Sequence, residues 1–262
     1  MNIDEILKTE NKKEKGTMIV FASGKGGVGK TVISVNTAAA LADMGFSTCI
    51  MDGNFQFGDV NLAMDIQPSF TISDLVHEMD TTEDIKISYY LDKHSSGADV
   101  LSSPINPEQG DLIKPCHIKN ICSKILEKHE FLIVDMPAGL CENNLTFMDI
   151  AQNIFVVTDT SFASIKNAKT FLRTVSMLKM DNKISVIINR SDAQGIIKAG
   201  DVENMLDVKD ADFICNNSKI VSKSYAIGIP FVTNKPKEKI TKDIKQLAVK
   251  LSEGIKENTL IK

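Results

Sequence analysis

Two lysines and a threonine, Lys25, Lys30 and Thr31, stand among the glycines of Ser23-Gly24-Lys25-Gly26-Gly27-Val28-Gly29-Lys30-Thr31. The spacing from Gly24 through four residues to Gly29-Lys30-Thr31 fits a phosphate-binding loop in full. Such a loop turns its backbone N–H groups inward around phosphate oxygens, which glycine allows because no Cβ stands in the way. Lys30 then reaches the β- and γ-phosphates of a nucleotide, and the Thr31 hydroxyl ligates Mg²⁺. Gly24, Lys25, Gly26, Gly27, Val28, Gly29, Lys30, Thr31 and Val32 form the candidate cradle. Two carboxylates join them. Asp135 closes the apolar run Phe131-Leu132-Ile133-Val134, a position from which a carboxylate holds Mg²⁺ through water. Asp52 closes Ser47-Thr48-Cys49-Ile50-Met51 in the same way. Ligands of open α/β sheets bind at the carboxyl ends of strands, so Thr31, Asp52 and Asp135 are the candidate metal residues.

The elements that position these residues can be read from periodicity. Residues 18–22 form an apolar run before the loop, and 32–43 read as an alanine-rich helix after it, whose start adds positive dipole near the phosphates. Strands are predicted at 47–51, 98–101, 131–135, 154–158, 184–188 and 213–214. Helices are predicted at 70–79, with Thr71 or Ser73 as cap, and at 118–129, 162–178, 219–226 and 239–257. The run 131–135 is apolar throughout, as a strand covered on both faces should be. This alternation predicts βαβ units and an α/β fold: a mostly parallel twisted sheet with helices on both faces. No repeat or linker divides the chain. A single domain over 17–262 is expected, preceded by a polar tail over 1–16.

Composition narrows the class. The chain has 262 residues, 43% hydrophobic and 24% charged, ordinary for a globular protein that can bury a large core. A net charge of −4 gives no general pull toward nucleic acid or anionic membrane. The five cysteines are scattered without a Cys-x-x-Cys pair, which fits reduced thiols rather than a disulfide framework. Cys116-His117 with Cys122 would supply three metal ligands, but no fourth is evident. The first residues lack the apolar core of a signal peptide and no run reaches the ~20 apolar residues of a membrane span, so a cytoplasmic protein is expected. Ile240, Ile244, Leu247, Leu251 and Ile255 recur at helical spacing with lysines around them. That face suits packing on the sheet, or a basic amphipathic helix on lipid.

The stretch Lys25-Gly26-Gly27-Val28-Gly29-Lys30-Thr31 resembles the deviant Walker A motif of the MinD/ParA superfamily. The resemblance implies an ATPase that uses ATP and Mg²⁺ and forms a homodimer, in which Lys25 reaches the partner's nucleotide. Pro137-Ala138-Gly139 looks like switch II of these ATPases, where a backbone N–H senses the γ-phosphate. Asn189-Arg190 looks like the family's base-reading pair, with Asn189 on the edge of adenine. In Ile214-Cys215-Asn216-Asn217 the family usually has proline at the position of Cys215.

The segment Asp52-Gly53-Asn54-Phe55-Gln56-Phe57-Gly58-Asp59-Val60 resembles switch I, and Gln56 to Val60 looks like the TadZ/CpaE branch, the ATPases of Flp pilus assembly. Ser73-Asp74-Leu75, residues 96–101 and residues 164–169 agree with that branch. The resemblance covers the ATPase domain, whereas many members carry a receiver-like domain that 16 residues cannot form. It implies pilus or secretion apparatus partners, and possible recruitment to the membrane or cell pole by them. Most relatives have Asp-x-Asp where this chain has Asp52-Gly53-Asn54, and Asn54 can hydrogen-bond water but cannot accept its proton. Asp52 or Asp59 would then orient the water, and slow hydrolysis is expected. The catalytic candidates are thus Lys25, Lys30, Asp52, Asn54 and Asp59. A nucleotide-bound scaffold, a ParA-like partitioning protein on DNA and a MinD-like regulator on membrane are the alternatives. The acidic composition argues against DNA.

Overall fold

The computed structural model describes residues 16–82 and 85–260, with side chains described through 253. The tail expected over 1–16 therefore lies outside the described residues except for Gly16. Strands β1 (Thr17–Ala22), β2 (Thr48–Asp52), β3 (Asp92–Lys93), β4 (Asp99–Leu101), β5 (Phe131–Asp135), β6 (Asn153–Asp159), β7 (Ile184–Asn189) and β8 (Asp212–Ile214) form one sheet. Its order is β3-β4-β2-β5-β1-β6-β7-β8. Every pairing is parallel except the antiparallel β3–β4 pair at one edge.

Strand residues alternate between two cores, as side chains on a pleated sheet must. Ile19 and Phe21 of β1, with Phe131 and Ile133 of β5, face one apolar cluster. Met18, Val20 and Ala22, with Leu132 and Val134, face the other. Helix α1 (Lys30–Asp43) covers the first face and α4 (Pro115–Leu126) the second. Between them in sequence lie α2 (Val60–Ala63) and α3 (Ile72–Met79). Then come α5 (Glu142–Ile150), α6 (Phe162–Met177), α7 (Ala199–Leu206), α8 (Ser218–Ile227), α9 (Phe231–Asn234) and α10 (Lys239–Leu260).

Several boundaries differ from the periodic reading for local reasons. Thr71 is the cap of α3, its N–H donating to Asp74 Oδ2 at 2.7 Å, so the helix begins at Ile72 rather than at 70. Helix α4 starts at Pro115, which suits a first helical position, and ends at Leu126 rather than at 129. Helices α5 and α7 were not legible from periodicity. Ile240, Ile244, Leu247 and Leu251 of α10 are buried in the cluster that contains α1, so the packing alternative holds for them. Ile255 lies beyond the described side chains. Among the described residues no helix is long and apolar enough to cross a membrane.

Candidate functional site

The loop leaves β1 at Ser23 and enters α1 at Lys30. Gly29 caps that helix in the left-handed region, φ 95° and ψ 23°. A Cβ at Gly29 would stand 2.3 Å from Asn189 Nδ2, and one at Gly24 would stand 2.5 Å from the Asn167 carbonyl oxygen. These two positions need glycine for space, and Gly29 needs it for conformation as well. Asn189, at the end of β7, donates through Nδ2 to the Val28 carbonyl at 2.8 Å. Its Oδ1 accepts the Arg190 N–H at 2.9 Å. The strand end is thereby tied to the loop.

Asp52 and Asp135 are register partners on neighbouring strands. Thr31 Oγ1 donates to Asp135 Oδ2 at 2.6 Å, while Asp135 Oδ1 is buried without a hydrogen-bond partner. Burial raises the Asp135 carboxyl above its ordinary range, opposed by the charge of Lys30 and the hydroxyl of Thr31. Burial lowers Lys30, and the Asp135 charge partly restores it. Asp52 is fully buried. Its Oδ1 accepts the Asn54 N–H at 3.0 Å, and its Oδ2 accepts the Val60 N–H at 3.1 Å and the Ser103 hydroxyl at 3.4 Å. Burial first, then the charge of Asp135, pushes Asp52 up to about 8. The chain passes so close over this carboxylate that a Cβ at Gly58 would lie 2.1 Å from Asp52 Oδ2. Asp52 therefore fastens both ends of the loop 53–60.

Other predicted residues fall around this centre. The Asn54 amide donates to the Phe57 carbonyl and its Oδ1 accepts the Phe57 N–H at 3.4 Å, closing a small ring within the loop. Asp59 is exposed at the start of α2, without a side-chain cap bond. Lys25 is exposed, and its Nζ meets the neighbouring Gly26 carbonyl at 3.4 Å. Gly139 has φ +87° and donates its N–H to the Ser23 carbonyl at 2.9 Å. The Gly139 carbonyl accepts from Asn144 Nδ2 at 2.8 Å. Arg190 sits at φ 54°, its guanidinium 3.5 Å from Asp159 Oδ2.

A cavity of about 200 Å³ beside Gly29 is lined by Val32, Asn189, Arg190, Cys215, Asn217 and Phe231, among others. The Cys215 N–H donates to Asp243 Oδ2 at 2.9 Å, a bond that proline at this position would lack. Ser103 and Asn144 are contributors that motif reading missed, whereas Asn217 lies in the loop 214–217 that it named. Ser103 reaches Asp52 only because β4 neighbours β2, which no local pattern announces.

Two observations test whether these residues fit a phosphate chain and a divalent cation. A Cβ at Gly26 or Gly27 would meet nothing within 4 Å, so the turn leaves open space at the start of α1, where anions are favoured. The partnerless Asp135 Oδ1 beside the Thr31 hydroxyl offers a hard oxygen ligand, as Mg²⁺ prefers. The residues fit both groups. Asp52 offers less, because each of its oxygens already accepts from the loop.

A family model described as an AAA domain, AAA_31, matches residues 16–188. The chain is 27% identical over 254 residues to the septum site-determining protein MinD of Thermotoga maritima, covering 92% of this chain and 90% of that one. Among solved structures it is similar to a ParA family ATPase from Chlorobium tepidum, with a TM-score of 0.83 at 21% identity over 90% of this chain and 98% of that one. It is also similar to MinD of Pyrococcus horikoshii complexed with Mg-ADP, with a TM-score of 0.78 at 22% identity over 90% of this chain and 96% of that one. The eight-stranded sheet is thus the α/β fold of MinD/ParA P-loop proteins. The chain belongs to the AAA_31 family of AAA domains.

Proposed function

We propose that this chain is an ATP-dependent dimerising switch that positions or partitions a cellular partner, with slow ATP hydrolysis in the cytoplasm. One observation carries the reading. Thr31 pairs with Asp135 under a loop whose other lysine, Lys25, remains exposed and holds nothing beyond its own backbone. In this reading the loop N–H groups and Lys30 bind the phosphates of ATP, while Thr31 and the free oxygen of Asp135 hold Mg²⁺. When bound, Mg²⁺ would neutralise charge developing on the transferred phosphoryl group. Asn189, Arg190 and Asn217 would enclose the base beside Val32. Lys25 would stabilise charge on the nucleotide of a second subunit, as an arginine finger does. Asn54 would orient the attacking water without taking its proton, which keeps turnover slow. The relatives named for septum placement, and the fold shared with a ParA family ATPase, support a positioning or partitioning role.

The finer assignment, pilus or secretion apparatus as the partner, rests on the resemblance of Gln56-Phe57-Gly58-Asp59-Val60 to the TadZ/CpaE branch. A scaffold without useful turnover is the second reading, favoured by the ring that Asn54 forms with Phe57.

Light scattering of the full chain with and without Mg·ATP tests the proposal. Wild type is expected to dimerise with ATP, and Lys25→Ala and Lys30→Ala to remain monomeric. A Lys25→Ala protein that dimerised and hydrolysed ATP normally would falsify the switch. Phosphate release equal in wild type and Lys30→Ala would favour the scaffold.

A further inference from the structure

Away from the phosphates, α8 and the segment after α9 enclose a groove of about 310 Å³. Lys219 and Lys223 stand one above the other on α8, four residues and roughly 6 Å apart along the axis. Lys235 lines the groove as well. Phe231, almost fully buried, lies under the groove with Ile220 and Ile227 beside it. Among the described residues, no carboxylate pairs with Lys219, Lys223 or Lys235 in a salt bridge. Glu238 is the one acidic residue in the lining. Nearby Lys239, outside the lining, is paired with Asp192 at 3.5 Å.

We propose that this groove is a docking site for an acidic, amphipathic segment of a partner protein. Charge complementarity selects the sign of the occupant. The whole chain carries a net charge of −4, whereas Lys219, Lys223 and Lys235 gather positive charge along this groove with a single carboxylate in its lining, which attracts an acidic occupant. The apolar base selects its class. A leucine-sized side chain can enter a slot of this volume, whereas the phosphate backbone of a duplex and a flat lipid surface would meet only the lysines. Glutamates four residues apart on a helix match the spacing of Lys219 and Lys223, and the apolar residues between their turns face the base. The groove shares Asn217 and Phe231 with the cavity beside Gly29, so the bound segment would sit against the base end of the nucleotide site.

The test uses the full chain and a labelled helical peptide of glutamate and leucine at matching spacing. Its lysine-for-glutamate counterpart, a random-sequence DNA duplex and phosphatidylglycerol vesicles serve as competitors. Wild type is expected to bind the acidic peptide and not the basic one, retaining part of that binding in high salt because of the apolar contacts. Lys219→Glu with Lys223→Glu is expected to weaken binding about tenfold or more at low salt while leaving thermal melting unchanged. Ile227→Asp, which keeps the lysines, should abolish the salt-resistant part. No binding of the acidic peptide overturns the proposal. So does equal binding by the charge-reversed variant, or displacement by the duplex or the vesicles at lower charge concentration than the peptide.

Discussion

In the proposed function Asn54 takes the place of a carboxylate base, and its side chain is turned back on Phe57. Asn54→Asp keeps an acceptor for the Phe57 N–H and restores a group that can take a proton. Phosphate release at saturating ATP should therefore rise about tenfold or more, a modest share of what a positioned base supplies. An unchanged rate would move the burden of water activation to Asp52 or Asp59. Asp52 itself has a consequence for stability. Its folded pKa of about 8 lies far above the ordinary carboxylate value, so between roughly pH 4 and pH 8 the folded state binds more protons than the unfolded one. That stabilisation is complete below the unfolded pKa and is lost as pH rises through about 8. The melting temperature of the nucleotide-free protein should fall across this window, and Asp52→Asn should flatten the fall. A parallel decline in both proteins would assign the pH dependence to other groups.

At the scale of elements, the parallel strands announced themselves because both faces are buried and the apolar runs are continuous. Residues 131–135 emerge with the bounds that the sequence predicts. The phosphate loop was equally legible, since its shape is written in glycine spacing. Helix α5 was not, because Glu142-Asn143-Asn144 opens it with polar residues and its buried Phe147 and Met148 are adjacent rather than periodic. Contacts made across the sheet, such as Ser103 on Asp52, depend on strand order and leave no trace in local spacing. The tie between the loop after β8 and α10 is another of these. Asp243→Ala removes the acceptor of the Cys215 N–H, and a hydrogen bond to a charged group of this kind contributes about 2 kcal/mol. Chemical denaturation should show a loss of that order, and nucleotide affinity should drop as the wall of the base cavity loosens. A variant as stable as wild type would mean that the loop is held by Asn216 and Asp192 instead, whose bond is 2.6 Å long.

For the whole molecule, the proposed division of work between the two lysines predicts complementation. In that proposal a Lys30→Ala subunit would not hold its own nucleotide but would still offer Lys25 to a neighbour. A Lys25→Ala subunit would hold nucleotide but give nothing across the interface. Equal mixtures of the two inactive proteins should regain part of the phosphate release of wild type, because mixed dimers contain one complete site. If no activity returned at any mixing ratio, Lys25 would be acting within its own chain.

The Gly139 N–H has one hydrogen to give, and in this structure the Ser23 carbonyl receives it. A ligand that recruited the same amide would first have to part the strand end that leads into the phosphate loop from the turn that follows β5. Recognition and opening are then one event, and tight capture of the ligand trades directly against closure of the turn. Deuterium uptake at this single amide would read that exchange: slow while Ser23 holds it, fast while it is in transit, slow again once the ligand has taken it.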